Sequence, residues 1–278
     1  MASKSSQGNA IVETIKTIVY ALLIAGVFRT LLFQPFWIPS GSMTETLLIG
    51  DFLFVNKMAY GYSYASCPSL KIPRVGIDID AEDICGWMQD GNTRLFGGEP
   101  ERGDVVVFRH PVNGSDFIKR LIGLPGDRIQ MKDGVLFIND EAVKLEDDGT
   151  FTEVKEPQGP ERSPPRCSNG PVGMGAACEK ERQIETLPNG VSHAILNIGN
   201  QGLDNTGVFV VPEGHFFFMG DNRDNSTDSR VPPIAGGVGF VPYANLIGRA
   251  DRIMFSSAGR SMLFFWTWRS DRYFKAIR

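Results

Sequence analysis

The longest apolar run lies near the start of the chain: from Thr17 to Ile38, 22 residues contain one charge, Arg29. At about 1.5 Å per residue such a run crosses a hydrocarbon core of about 30 Å. The pattern predicts a membrane-spanning helix from Ile15 to Phe33, within an anchor segment 15–34. Arginine at mid-bilayer costs about 2.5–3.5 kcal/mol on insertion scales, but near a helix end it snorkels to the headgroups. Arg29 therefore belongs in the last turns, with Pro35 and Pro39 expected to stop the helix. The run exceeds the roughly 7–15 residues of a secretory h-region, which favours an uncleaved anchor over a removed signal or a buried core helix. Lys4 and Lys16 before the run, against Arg29 near its end, favour an inside N-terminus. Residues 1–14 then form a cytoplasmic tail and 35–278 an exported domain.

Beyond the anchor the period changes to short apolar alternations. Phe52–Asn56, Asp104–Arg109, Phe117–Ile122, Arg128–Lys132, Val135–Asn139, Ala194–Ile198, Val208–Val211, His215–Met219 and Ile247–Phe255 all read as strands. Turn signals such as Lys132-Asp133-Gly134 and Leu124-Pro125-Gly126-Asp127 separate them, as in an antiparallel sheet system. Tyr60–Arg102 and Asp147–Pro188 are rich in Pro, Gly and charge and read as excursions. The expected fold is mostly β: an antiparallel core with a smaller β-rich cap or insertion behind one N-terminal transmembrane helix.

Composition narrows the function. Lys+Arg 28 against Asp+Glu 32 gives a net charge of −4, without the basic surplus of a nucleic-acid binder. With 42% hydrophobic residues the chain is not disordered as a whole. The four cysteines fall as local pairs, Cys67 with Cys85 and Cys167 with Cys178. They lack C-x-x-C metal spacing and suit disulfides across surface loops of an exported domain. Near the C-terminus, Phe264, Phe265, Trp266, Trp268 and Tyr273 alternate with Arg269, Arg272, Lys275 and Arg278. This mixture suits either a lipid interface or a segment closing on the core.

Three polar islands carry the candidate chemistry. Pro39-Ser40-Gly41-Ser42-Met43 follows the anchor. Lys119 lies inside the apolar run Phe117-Ile118-Lys119-Arg120-Leu121-Ile122. If it points inward, desolvation lowers its pKa enough to supply a neutral amine near neutral pH; alternation is expected to leave either Lys119 or Arg120 facing solvent. The third island, Gly220 to Arg230, has no aliphatic side chain in eleven residues. It suits an internally hydrogen-bonded turn network, and it lacks the ligand spacing of a calcium loop. His110, His193 and His215 lie outside the islands with no G-x-S-x-G elbow, which disfavours a Ser-His-Asp triad.

Together the islands resemble the bacterial type I signal peptidase family, membrane-anchored serine proteases with a Ser/Lys dyad. The match takes in the anchor, Phe36–Lys57, Arg102–Phe108, Phe117–Asp127 and Met219–Arg230, in family order. The resemblance implies Ser42 as nucleophile and Lys119 as general base. It also implies a Ser40 hydroxyl in the oxyanion hole and Ser226 orienting the amine, with Asp221, Arg223, Asp228 and Arg230 supporting the site. Phe36, Ile38, Pro39, Met43, Leu47, Phe117 and Ile118 correspond to shallow apolar pockets for a small-x-small cleavage sequence. The implied enzyme is a serine endopeptidase acting on secretory preproteins at the exported face of a bacterial inner membrane, in contact with lipid and without metal or cofactor. One departure stands beside the nucleophile: Ser42-Met43-Thr44-Glu45-Thr46 replaces the family's Ser-Met-x-Pro-Thr, freeing a φ angle. Two rivals are a self-cleaving repressor-type peptidase of the same chemistry, opposed by the anchor, and an inactive membrane-tethered β module that binds extended peptides.

Overall fold

The structure, a computed structural model, describes residues 4–67, 70–72, 76–79, 81–88, 94–258, 262 and 264–277. It opens with helix α1, Lys4–Leu31, whose most apolar window, Ala10–Phe28, has a mean hydropathy of 1.9 and no buried residue. The helix starts eleven residues before the expected Ile15, because apolar Ala10, Ile11 and Val12 extend it and Lys16 pairs with Glu13 at 3.0 Å. It stops at Leu31 rather than at the prolines, since the chain there pairs as strand β1, Phe33–Trp37. Pro35 sits within β1, which tolerates it as an edge strand. Arg29 falls in the last turn, and its side chain lies outside the described residues.

The remaining strands are β2 (Asp51–Asn56), β3 (Leu70–Ile72), β4 (Ile77–Ile79), β5 (Val105–Arg109), β6 (Asp116–Gly123), β7 (Arg128–Lys132), β8 (Val135–Ile138) and β9 (Glu141–Ala142). They continue with β10 (Lys144–Val154), β11 (Ala177–Thr186), β12 (Ser192–Asn197), β13 (Phe209–Val210), β14 (His215–Met219), β15 (Val241–Pro242) and β16 (Leu246–Ser256). The pairings are antiparallel, and the main sheet runs β1-β2-β16-β5-β6-β14-β15. A second sheet runs β13-β7-β8-β9 and a third β10-β11-β12. The chain is therefore mostly β behind one apolar helix, with the third sheet as the smaller unit.

All nine expected strands are present within about two residues at each end, a normal boundary scatter. Two long strands, β10 and β11, lie in the stretch read as an excursion. Their alternation is polar: Lys180 is buried but pairs with Glu153 of β10 at 2.5 Å, and Glu185 is buried against Arg223. Paired charges, across strands for Lys180 and to the Gly220–Arg230 segment for Glu185, replace the apolar face by which strands are recognised. Both local cysteine pairs are disulfides, with Cα–Cα distances of 6.4 Å for Cys67–Cys85 and 5.0 Å for Cys167–Cys178.

The C-terminal segment divides by side chain. Arg272 is buried on Asp51, Arg269 donates to the Ile49 carbonyl and to Ser256 Oγ, Trp268 stacks on Phe255 at 4.3 Å, and Ile277 packs on the core. Phe265, Trp266 and Phe274 remain exposed. Arg272 and Arg269 therefore serve the core rather than a lipid headgroup, because the Asp51 carboxylate and the carbonyls around it require cationic donors. Arg278 lies outside the described residues.

The Cys167–Cys178 bridge closes a sequence separation of 11, for which chain entropy gives about 3 kcal/mol. Replacing both cysteines by serine is expected to lower the unfolding free energy of the detergent-solubilised protein by that order, measured by urea denaturation.

Candidate active site

Strand β6 lies between β5 and β14, with Lys119 opposite Val106, and Arg120 opposite Val105 on one side and Met219 on the other. Successive side chains leave a strand on opposite faces. Both faces of β6 are covered here, so Lys119 is 3% exposed and Arg120 0%. The expectation that one of them meets solvent fails for that reason: alternation assigns faces, while packing decides whether a face is wet.

The two cations are accommodated differently. Arg120 clasps Asp221 through Nε and Nη2, both at 2.8 Å, and gives Nη1 to the Gly103 carbonyl at 2.7 Å. Burial raises the Asp221 carboxyl, but Arg120 outweighs it and holds the group below the usual carboxylate range. Among the described residues, Lys119 has no carboxylate in hydrogen-bonding contact. Its Nζ lies 2.6 Å from Ser42 Oγ and 3.1 Å from the Ile118 carbonyl. Burial pushes the amine down from 10.5 to about 8, while the charges of Asp228 and Asp221 pull part of the way back.

Ser42 occupies a one-turn 3-10 helix, Gly41–Met43, on the loop joining β1 to β2. The loop base is closed by Ile38 N–H to the Asp51 carbonyl at 2.9 Å and Gly50 N–H to the Ile38 carbonyl at 3.0 Å. Arg272 ties it further, donating to Asp51 and to the Thr46 carbonyl. Asn222 fastens the turn itself, its Nδ2 donating to the Gly41 carbonyl at 2.8 Å and its N–H to the Ser42 carbonyl at 3.1 Å. Ser40 precedes the turn in extended backbone, exposed, with no capping bond from its side chain.

The Gly220–Arg230 segment wedges against this turn. A Cβ at Gly220 would fall 2.3 Å from Ser226 Oγ and 2.5 Å from the Ser42 carbonyl oxygen, so only glycine fits between them. Ser226 Oγ is buried there without a hydrogen-bond partner among the described residues. Asp228 takes Arg230 in a fork at 2.9 Å on each oxygen and accepts the Gly220 N–H at 3.0 Å. Arg223 forks onto Glu185 of β11 at 2.8 and 2.5 Å, and His193 Nε2 of β12 lies 3.3 Å from the same carboxylate. Burial raises the Glu185 carboxyl, but Arg223 and His193 hold it well below its ordinary range. Burial, then Arg120, lower His193.

The seven apolar candidates separate by accessibility. Phe36, Phe117 and Ile118 are half-buried and Pro39 is exposed, whereas Ile38, Met43 and Leu47 pack fully in the core with Leu53, Val105 and Ile253. Those three lie beneath the surface that a ligand could touch. Among the described residues, no group of three His, Cys, Asp or Glu is arranged to hold a metal ion.

Residues 11–255 match the family model described as signal peptidase, peptidase S26. The chain belongs to this family. Signal peptidase I of Rickettsia typhi is 40% identical over 246 residues, covering 86% of this chain and 78% of the relative. Signal peptidase I of Rickettsia massiliae is 37% identical over 263 residues, covering 92% and 84%. A crystal structure of a signal peptidase I from Enterococcus faecalis is 26% identical, covers 54% of this chain and 96% of its own, and superposes with a TM-score of 0.28. Membership in the signal peptidase S26 family makes this chain a serine peptidase.

Several residues of the candidate site escape a reading by pattern. Arg120 hides behind its neighbour Lys119, and Asn222 is one amide among many polar residues. Glu185 stands in β11, a polar strand that gives no apolar period, His193 lies just ahead of the alternation at Ala194–Ile198, and Thr46 donates to Asp221 at 2.5 Å. In sequence, the one available hint is the excess of acids, amides and arginines in the third island.

Asp221→Asn leaves Arg120 buried without its counter-charge, a change that costs about 3–5 kcal/mol. The expected outcome is a fall of that size in unfolding free energy at neutral pH, measured by chemical denaturation.

Proposed function

We propose that this chain is a membrane-anchored signal peptidase in which Ser42 and Lys119 form a catalytic dyad. The observation that carries the reading is the 2.6 Å contact between Lys119 Nζ and Ser42 Oγ in a buried setting. A serine hydroxyl must lose its proton as it attacks, and a lysine can accept it only when uncharged. With a pKa of about 8, about a tenth of the amine is neutral at pH 7, against less than about one part in a thousand for a solvated lysine.

In the proposed cycle Ser42 Oγ adds to the scissile carbonyl while its proton passes to Lys119 Nζ. The oxyanion is met by the Ser42 N–H and the Ser40 hydroxyl, each such donor contributing about 2.7–4 kcal/mol in comparable sites. Collapse breaks the C–N bond as Lys119 protonates the leaving amine. Water then releases the acyl group, again with Lys119 as base. Ser226, whose hydroxyl is buried and unpartnered, is assigned to orient the amine. Asp221, Arg223, Asp228 and Arg230 keep the surrounding charges paired.

The substrate is assigned as a secretory preprotein cut after a small-x-small sequence. Phe36, Pro39, Phe117 and Ile118, at least partly exposed, are assigned to shallow apolar pockets that suit alanine-sized side chains, and Ile38, Met43 and Leu47, buried in the core, to their support. The exposed apolar helix α1 is read as the anchor, with the peptidase domain on the exported face of the inner membrane. Exposed Phe265, Trp266 and Phe274 suit the headgroup layer.

Ser42→Ala and Lys119→Ala are each expected to abolish cleavage of a model preprotein, with wild type giving a new N-terminus after an Ala-x-Ala-like site by mass spectrometry. Preprotein processing by both variants overturns the dyad.

The pH dependence has a definite sign. Cleavage at limiting substrate should rise with pH through about 8 and level off above it, and a profile flat from about pH 6 to 10 would remove Lys119 as the base. Stability gives a second check. Below about pH 8 the folded protein must bury a protonated amine that the unfolded chain solvates, a penalty relieved as pH rises from about 8 to the unfolded value. Lys119→Met should therefore be more stable than wild type at pH 7, by a margin of order 3 kcal/mol that shrinks between about pH 8 and 10.5, measured by denaturant titration.

A further inference from the structure

The loop carrying Ser42 holds a second unusual residue. Glu45 has φ +90°, a left-handed backbone rare for a side chain other than glycine and closed to proline, whose ring fixes φ near −65°. The conformation is locked from both sides: Leu47 N–H reaches the Met43 carbonyl at 2.7 Å, and Thr44 closes on the Gly41 carbonyl through N–H at 3.1 Å and hydroxyl at 2.7 Å. The Glu45 side chain leaves the loop and accepts from Arg182 Nε at 3.1 Å and Nη2 at 2.9 Å. Arg182 belongs to β11, in the smaller sheet, and its remaining nitrogen, Nη1, pairs with Asp148 of β10.

The connection between β10 and β11 also meets the Ser42 loop, at Gly159, where an added Cβ would fall 2.5 Å from the Pro39 carbonyl oxygen. This second contact is steric, whereas the Glu45–Arg182 pair is directional and charged. Glu45 is three residues from Ser42, so a shift at one end of the pair moves the hydroxyl relative to Lys119, which is fixed separately on β6. Displacements of about 1 Å between reacting groups reduce turnover strongly.

We propose that the Glu45–Arg182 ion pair is a positioning clamp, through which the smaller sheet holds Ser42 Oγ in register with Lys119 Nζ. The clamp takes the place of proline rigidity in this loop. The inference rests on the dyad reading above. Both side chains are about a quarter exposed, at 22% and 28%, so the clamp is open to screening by salt.

The test uses the full-length protein in detergent with a preprotein substrate, comparing Glu45→Gln, Arg182→Gln, the double variant and Glu45→Gly. Arg128→Gln, which breaks the exposed Arg128–Asp140 pair elsewhere, is the control. Each single variant should lower kcat about tenfold, with KM and the thermal midpoint close to wild type. The double variant should be no slower than either single one. Glu45→Gly, which relieves the backbone but loses the carboxylate, should match Glu45→Gln. High salt should slow wild type toward the variants and leave the variants and their order unchanged. The clamp is overturned by multiplicative losses in the double variant, by wild-type turnover in Glu45→Gly, or by a kcat loss that follows the thermal midpoint. Should Glu45→Gln not fold, Arg182→Gln reaches the same pair from the other sheet. Ser42→Ala separates the two hypotheses: activity in that variant sinks the dyad, whereas a dead Ser42→Ala beside a fully active Glu45→Gln sinks the clamp alone.

Discussion

Burial of two adjacent cations on opposite faces of β6 is the constraint around which the rest is organised. An unpaired charge in a protein interior costs several kcal/mol, so each cation must be paired or lose its proton. Arginine side chains keep their proton in proteins, and Arg120 is paired, forked onto Asp221. Lys119 can lose its proton, and it faces a hydroxyl instead of a carboxylate, with its pKa drawn down to about 8. One strand thus shows both solutions to the same electrostatic problem. The contrast explains why the third polar island is so acidic: Asp221 pairs with the arginine directly, while Asp228, occupied by Arg230, acts on the lysine only from a distance.

Those pairings also explain how distant segments arrive at one point. Asn222 holds the backbone of the Ser42 turn, Gly220 allows it to approach, and Arg223 carries the connection outward to Glu185 and His193 of the smaller sheet. From below, Arg272 of the C-terminal segment grips Asp51 and Thr46 at the base of the loop. Most of these contacts are hydrogen bonds of charged groups or of the backbone between buried residues, where such bonds are strong and orphaned partners are costly. A network of this kind resists piecemeal change, and it fixes the polar side of a turn whose Ile38, Met43 and Leu47 pack into the apolar core.

Much of this was legible in the chain. The apolar run announced the helix, period-two patterning announced nine strands, and the order of three polar islands pointed to the S26 family. What was not legible has a common cause. Strands β10 and β11 escaped because Lys180 pairs with Glu153 across the sheet and Glu185 with Arg223 of the third island, and pattern reading detects apolar burial but not paired polar burial. The end of α1 was misplaced because Phe33–Trp37 found a partner in β2, and pairing outweighed a local preference for helix. For Arg269 and Arg272 the lipid and core readings stay open in the sequence, which does not show that Asp51, more than 200 positions earlier, pairs with Arg272.

The sequence by itself determined the classes of element, the exposed apolar helix and the residue types able to do the chemistry, since these depend on local period and on side-chain pKa. Only the tertiary structure decided that both faces of β6 are dry, that Ser42 and Lys119 meet across 77 positions, and that Glu45 reaches a second sheet. Those outcomes depend on long-range pairing and on exclusion of water, which arise when separate strands pack together and have no signature in any one of them.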